Sequence, residues 1–279
     1  MPTKHSEYYT DLKIIRGKKM KVAIIGCGVM GSAFVRALSQ DNELFLVSKE
    51  VKKASAVSLE LGLKQVGIEE GVKHAEVVII AVKPKDLPSV AEEMSSYVRD
   101  EQIILSILAG TSLAKLSSLF PKGQIVRAMP SLPLVCGEGI IGVVDSLSST
   151  AKNIIEHLLS SIALLHFLPE SKMDAFTAVC GSSPAFILVI LEAMMEGAVS
   201  LGFSFADAKE LVLKSFEGTI HLLRYSGKHP AELKMDISSP GGTTIAGLGA
   251  MEDQGIRAGL IHTLSACCKR SRQMGEEMK

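Results

Sequence analysis

The stretch Val22-Ala23-Ile24-Ile25-Gly26-Cys27-Gly28-Val29-Met30-Gly31 decides how the rest of this chain is read. Its apolar start has the look of a short buried strand. The three glycines then follow the spacing G-x-G-x-x-G, and Phe34, Val35 and Leu38 continue at helical spacing. Strand, glycine turn and helix together make an anion-binding unit. Gly26 permits the tight turn, Gly28 lets the backbone approach a pyrophosphate, and Gly31 completes the pattern at the helix N-terminus. The motif alone leaves open a glycine-rich turn that binds nothing.

Outward from this unit, strand and helix alternate. Residues 44–47 read as a second strand and 50–61 as a helix. Val77-Val78-Ile79-Ile80-Ala81-Val82 is nearly all β-branched, as a strand covered on both faces should be, and it stops at Lys83-Pro84. A helix near 86–98 leads into a strand at 103–107, and Ala109-Gly110-Thr111 turns the chain into another short helix. Less regular strands follow at 124–128 and 139–144, then a helix at 148–160 and a last strand at 163–168. After Pro169 no strand run remains. Helical segments fall near 171–181, 184–201, 205–226 and 243–273, punctuated by Gly202, Gly227 and the 238–242 loop. Phe186, Ile190, Ala193, Met194 and Gly197 form an apolar stripe broad enough to pack internally or against a second chain. The expected fold is therefore α/β, an N-terminal Rossmann-like doubly wound sheet followed by an all-helical C-terminal domain. The expected boundaries are a polar extension at 1–19, a dinucleotide-binding domain at 20–168 and a helical domain at 169–279.

Composition narrows the function. The 279 residues suit roughly two domains, and 30 basic residues balance 30 acidic ones, so no global field favours nucleic acid. Aromatic residues are 5% with no Trp, which leaves few stacking platforms for bases. No 18 consecutive residues are apolar and no cleavable leader pattern opens the chain, so neither a membrane span nor secretion is expected. Five cysteines without C-x-x-C spacing suit a reducing, cytoplasmic setting. The seven histidines lack metal-ligand spacing, and neither H-E-x-x-H nor G-x-S-x-G occurs, so no metal is expected. Such poverty suits hydride transfer, where the cofactor carries the chemistry and the protein supplies orientation and charge.

After Val47 come Ser48-Lys49-Glu50, where a ribose-binding acid usually stands. A hydroxyl and a cation suit a 2′-phosphate, hence NADP (as NADPH) ahead of NAD. The competing reading makes Lys49 a solvated helix-start lysine and Glu50 the ribose acceptor. Lys83 sits where the central strand ends, beside the cofactor crevice or simply on the surface. Arg127 either anchors a junction or touches ligand. In the helical half, Gly181-Ser182-Ser183-Pro184 has the build of a helix start, with Ser183 as N-cap and Pro184 at N1. Ser238-Ser239-Pro240-Gly241-Gly242-Thr243-Thr244 places backbone N–H groups just before a helix, a place that can cap the helix or hold a small carboxylate.

These pieces, in order, resemble the pyrroline-5-carboxylate reductase family from about residue 20 to 273. The most specific is Ser239-Pro240-Gly241-Gly242-Thr243-Thr244-Ile245-Ala246-Gly247-Leu248. Ala81-Val82-Lys83-Pro84, Ala109-Gly110, Arg127-Ala128-Met129-Pro130 and Gly181-Ser182-Ser183-Pro184-Ala185 join the glycine turn in support. The resemblance implies NAD(P)H-dependent reduction of 1-pyrroline-5-carboxylate to L-proline, a step of proline biosynthesis. Gly26, Gly28, Val29, Met30 and Gly31 would line the pyrophosphate, Ser48 and Lys49 the adenosine ribose, and Ala81, Val82, Lys83, Pro84 and Ala109 the nicotinamide side. Thr244 would orient the ring nitrogen, N–H groups at Gly242 and Thr243 would take the carboxylate, and Ser182 and Ser183 would complete the substrate site. It also gives the helical domain substrate binding and dimerisation, as a homodimer or a ring of dimers whose partner helices complete each site.

The chain departs from the family pattern at Ser131 and Leu132, where Met-Pro-Asn-Thr-Pro becomes Met129-Pro130-Ser131-Leu132-Pro133, and at Ser183 and Phe186, which stand for Gly and Tyr. A reductase of a related imino acid or of a hydroxy acid therefore stays open. So does a catalytically weak nucleotide-binding paralogue. The hydroxy-acid class normally shows a lysine on the first long helix after the sheet, paired with an asparagine; Lys172 is present, but residue 176 is Phe.

Overall fold

Seven strands form, β1 Lys21–Ile25, β2 Glu43–Val47, β3 Val77–Ile80, β4 Ile103–Ser106, β5 Gln124–Pro130, β6 Gly139–Val144 and β7 Ala163–Leu168, and β-branched residues run together in β1, β3, β4 and β6. The computed structural model describes residues 19–48 and 51–277, so most of the expected extension, Lys49 and Glu50 lie outside the described residues. The seven strands form one sheet in the order β2-β1-β3-β4-β5-β6-β7. Pairs from β2 through β5 are parallel, β5 and β6 are antiparallel, and β6 and β7 are parallel again. The reversal has a simple cause. A parallel return needs a crossover of about a dozen residues or more, and the link from Pro130 to Gly139 holds only the short 3₁₀ turn Leu132–Cys136.

Period-two alternation sends side chains of the central strands to opposite faces. Val22, Ile24, Val77, Ile79, Ile103 and Leu105 join one apolar core with Phe34, Val35 and Leu38 of α1 (Val29–Leu38) and Ile155, Leu158 and Leu159 of α6 (Ser149–Leu159). Ala23, Ile25, Val78, Ile80 and Ile104 join a second core with α3 (Ile68–His74), α4 (Leu87–Met94) and α5 (Leu113–Leu119). A helix α2 spans Val51–Leu61. Two cores on the two faces of one sheet are the doubly wound arrangement expected from the sequence. Helix α3 is an addition to that expectation. Its Gly71 lies against Val47 and Ala23, so the helix sits close on β1 and β2.

From Glu170 onward the chain is helical. A short α7 (Met173–Phe176) passes through a π turn, Thr177–Gly181, directly into α8 (Ser183–Ser200). The expected start with Ser183 as N-cap is therefore corrected, because Ser182 is already helical and its N–H donates to the Thr177 carbonyl at 2.8 Å. Pro184 has no N–H to continue the regular ladder, and the wider π turn is where that irregularity is absorbed. The run from Glu170 to Ser200 contains an 18-residue window of mean hydropathy 1.8, long and apolar enough by composition alone to cross a membrane.

The chain divides into two units, 1–182 with 267–279, and 183–266. The sequence-based boundary was drawn at 168/169, with the tail assigned to the second domain. By contacts, the helical step 170–182 and the described tail 267–277 group with the sheet. Within the first unit, Ser271 Oγ donates to Asp174 Oδ1 at 2.7 Å, and Gly275 lies against the Gly110 carbonyl. The second unit holds α8, α9 (Phe205–Ser226), α10 (Pro230–Ile237), α11 (Thr243–Asp253) and the start of α12 (Ile256–Glu277). The single helix expected over 243–273 is thus two, separated at Gln254-Gly255, and α10 was not anticipated. Only Ala208 and Val212 are buried among the described apolar side chains of this unit, while Leu188, Val189, Met194, Leu211 and Ile261 stand exposed.

Candidate active site

Parallel register brings the carboxyl ends of β1, β2, β3 and β4 to one edge, where an open α/β sheet binds its ligands. The glycine turn sits at the centre of that edge. Gly26 has φ +103°, and a Cβ there would stand 2.8 Å from the Ala81 carbonyl carbon and oxygen, so only glycine fits between β1 and β3. Gly31 lies hard against the Gly26 carbonyl, which seats α1 on the turn. Gly28 differs. A Cβ there meets no protein atom within 4 Å, and its extended backbone (φ −69°, ψ −170°) needs no glycine. Gly28 stands at the N-cap of α1, where no side chain caps the helix. Its first N–H groups are therefore available to an anion, with the helix dipole favouring negative charge. This cradle fits a dinucleotide pyrophosphate, with Gly26, Gly28, Val29, Met30 and Gly31 as its walls.

Neighbouring loops are tied to the turn. Gly26 N–H donates to the Val47 carbonyl at 2.8 Å, and Ala81 N–H to the Ile25 carbonyl at 2.8 Å. Ser32 Oγ donates to the Cys27 carbonyl at 3.1 Å. Cys27 is buried and its thiol is hydrogen-bonded to Ser48. Burial pushes the thiol pKa up, and the Ser48 bond opposes that rise. Ala81 and Val82 are half-buried, Lys83 is exposed, and Pro84 opens the 3₁₀ turn Pro84–Asp86. Ala109 lies half-buried beyond β4, beside Gly110 and the C-terminal tail contact. Contacts at this edge link Gly26, Gly31, Ser48 and Ala81 through the glycine turn; Lys49 lies outside the described residues.

Arg127 is buried and donates through Nη1 to Glu170 Oε1 at 2.8 Å, and the same oxygen accepts the Leu113 N–H at 2.7 Å. Arg127 therefore anchors the start of α5 and the Glu170 turn. Ser131 Oγ accepts the Ile140 N–H at 2.9 Å and the Ser131 N–H donates to the Ile140 carbonyl, so this hydroxyl clips the 3₁₀ turn to β6. Leu132 is exposed. Sequence reasoning missed Gln65, whose Nε2 donates to the Ser48 carbonyl at 3.1 Å. It carries no local motif, and its only signal is spatial.

In the second unit, Gly242 precedes α11 with an extended backbone and no side-chain cap. Its N–H donates to the Ser239 carbonyl at 3.0 Å, and Ser239 Oγ packs beneath it. Of the N–H groups expected around Gly242 and Thr243 for a carboxylate, that of Gly242 is held in this tight turn. Helix geometry leaves the N–H groups of Thr243, Thr244 and Ile245 without intrahelical partners. Thr244 is half-buried and Thr243 exposed, with both hydroxyls on the first turn. Ser182 and Ser183 are half-buried, Ser182 in the first unit and Ser183 in the second. Among the described residues no group of three His, Cys, Asp or Glu side chains gathers as a metal site.

Known proteins align with this arrangement end to end. Pyrroline-5-carboxylate reductase of Aquifex aeolicus is 33% identical over 265 residues, covering 93% of this chain and 97% of its own. The chain belongs to the pyrroline-5-carboxylate reductase family. Pyrroline-5-carboxylate reductase 3 of Danio rerio is 33% identical over 270 residues, covering 94% of this chain and 93% of its own. A crystal structure of Plasmodium falciparum pyrroline carboxylate reductase with NADP bound superposes with a TM-score of 0.83 at 28% identity, covering 92% of this chain and 98% of that one. A family profile described as pyrroline-5-carboxylate reductase dimerisation matches residues 170–274, and one described as NADP oxidoreductase, coenzyme F420-dependent matches 21–110. Membership accounts for the shared architecture, a Rossmann-like sheet followed by helices, and for a nucleotide cradle at the head of the chain.

Proposed function

We propose that this protein reduces 1-pyrroline-5-carboxylate to L-proline with NADPH, working in the cytoplasm as a homodimer. The observation that carries the reading is the 33% identity over 93% of the chain to a reductase named for that substrate. The glycine cradle supports it. In this reading the bound nicotinamide supplies a hydride to the imine carbon, which is electrophilic once the ring nitrogen carries a proton.

The chain's own work is placement. The N–H groups of Val29, Met30 and Gly31 hold the pyrophosphate, and Ser48 with Lys49 meets the adenosine 2′-phosphate. Ala81, Val82, Lys83, Pro84 and Ala109 border the nicotinamide side. The first turn of α11 takes the substrate carboxylate through the Thr243, Thr244 and Ile245 N–H groups, and the Thr244 hydroxyl orients the ring nitrogen. Ser182 and Ser183 line the substrate. A protonated imine needs no dedicated acid.

The exposed apolar helices of the second unit support the homodimer, since a single chain rarely leaves so much apolar surface uncovered. It also accounts for the apolar run 170–200 without a bilayer. Incubating the purified protein with NADPH and pyrroline-5-carboxylate, and following loss of reduced-nicotinamide absorbance, tests the activity. Substrate-dependent oxidation with proline formed is expected; tight NADPH binding with no oxidation above the blank contradicts it. Light scattering on the eluting protein should return at least twice the 29.8 kDa chain mass.

A further inference from the structure

Beyond Val47 the chain leaves β2 through Ser48, and that exit is tied from several sides. The Val66 N–H donates to the Leu46 carbonyl at 2.9 Å, within a single parallel bridge between Leu46 and Gln65. Gln65 then reaches across 17 positions of sequence to donate its side-chain amide to the Ser48 carbonyl. From the other side, the Ser48 hydroxyl meets the Cys27 thiol inside the glycine turn, and Gly26 holds Val47. Ser48 is thus fixed between the pyrophosphate cradle and a half-buried glutamine from the segment before α3.

We infer that Gln65 is a positioning residue for cofactor choice. Its amide fixes the Ser48 carbonyl, and with it what Ser48 presents to the adenosine 2′ position. This rests on the reading of Ser48 and Lys49 given above. The two nicotinamide cofactors share the pyrophosphate cradle and differ only at the 2′ position. A loosened Ser48 loop therefore weakens the contact with a 2′-phosphate while leaving the shared contacts in place. A neutral hydrogen bond to a backbone carbonyl typically contributes enough to change an equilibrium about three- to tenfold.

Nicotinamide fluorescence titration of NADPH and of NADH, without substrate, on the wild type, Gln65→Met and Gln65→Glu tests this. Met keeps the length and packing, and Glu keeps the shape but has no donor for a carbonyl. Both variants should lower the ratio of NADPH to NADH affinity by about three- to tenfold, with NADH affinity within about twofold of wild type. Thermal unfolding run beside the titrations reports whether the fold is intact. A ratio that does not move overturns the inference, and so does equal weakening of both cofactors, which would make Gln65 a support of the sheet edge alone. A wild type that does not prefer NADPH contradicts the Ser48–Lys49 reading instead; movement of the ratio in the variants would still uphold the role of Gln65.

Discussion

Two glycines two residues apart, Gly26 and Gly28, should answer the same substitution in opposite ways. At Gly28 a methyl group enters space that no protein atom occupies, on a backbone any residue adopts. Alanine there removes unfolded-state freedom, worth about 0.4–1 kcal/mol, and forfeits a similar amount as a poorer helix cap. The net change in stability is within about 1 kcal/mol, and the melting temperature should stay within about 4 °C of wild type. The pyrophosphate, however, must retreat from the N–H groups of α1. Losing two charge-assisted hydrogen bonds at about 1.5–3 kcal/mol each predicts a loss of NADPH affinity of roughly a hundredfold or more. At Gly26 the added methyl meets the Ala81 and Val82 backbone at 2.8–2.9 Å and demands φ +103° of an L-residue. Backbone strain of about 1–3 kcal/mol and overpacking of similar size predict a fall in melting temperature of roughly 5–20 °C. Calorimetric unfolding and NADPH titration of Gly28→Ala and Gly26→Ala decide the matter. Equal melting losses in the two variants, or wild-type NADPH affinity in Gly28→Ala, would refute the assignment of the cradle.

Thr244→Ala should slow turnover at least about tenfold while leaving NADPH affinity within about twofold, because its hydroxyl is assigned to the imine and not to the nucleotide; an equal fall in cofactor affinity contradicts the assignment. Glu170→Ala strips the buried Arg127 of its carboxylate and the Leu113 N–H of its acceptor. With Glu170 itself about a third exposed, the expected loss is about 2–3 kcal/mol in urea unfolding, below the range for a fully buried pair. Burial raises the Cys27 pKa, so ionising the thiol costs the folded state more than the unfolded one. That contribution to stability is complete below the ordinary thiol range and is lost as pH climbs through it; Cys27→Ala should flatten the alkaline side of the stability profile. Iodoacetamide should label exposed Cys136 well before buried Cys27, as peptide mass mapping would reveal.

The centre of the sheet was legible because its strands β3 and β4 are buried on both faces. Val77-Val78-Ile79-Ile80 and Ile103-Ile104-Leu105 admit few other readings, and the glycine turn fixes where the cofactor edge lies. Helix α3 was not legible. It has seven residues, no side-chain cap and a central Gly71, features that disfavour a helix locally, and it is held by packing on Val47 and Ala23. Helix α10 also escaped notice, although Pro230 at its first turn and the His229 Nδ1 accepting the Ala231 N–H are recognisable start signals. The return of the tail to the first unit had no local sign at all, since Ser271 meets Asp174 across 97 positions. In the site, the glycines announced themselves through spacing. Gln65 and the Arg127–Glu170 pair are contacts between distant segments, which periodicity cannot register. The turn at Ser239 shows the reverse limit: the loop was recognised, but which of its N–H groups remain free depended on a bond from Gly242 that composition does not encode.

The proposed reaction turns on the passage of one hydrogen from the nicotinamide to the ring. NADPH carrying deuterium at the transferable C4 position, mixed with pyrroline-5-carboxylate and the purified protein in ordinary water, provides that measurement by mass spectrometry of the product. Proline heavier by one mass unit, with the label on the former imine carbon, is the predicted result. Proline without label, or no proline despite bound NADPH, would contradict it.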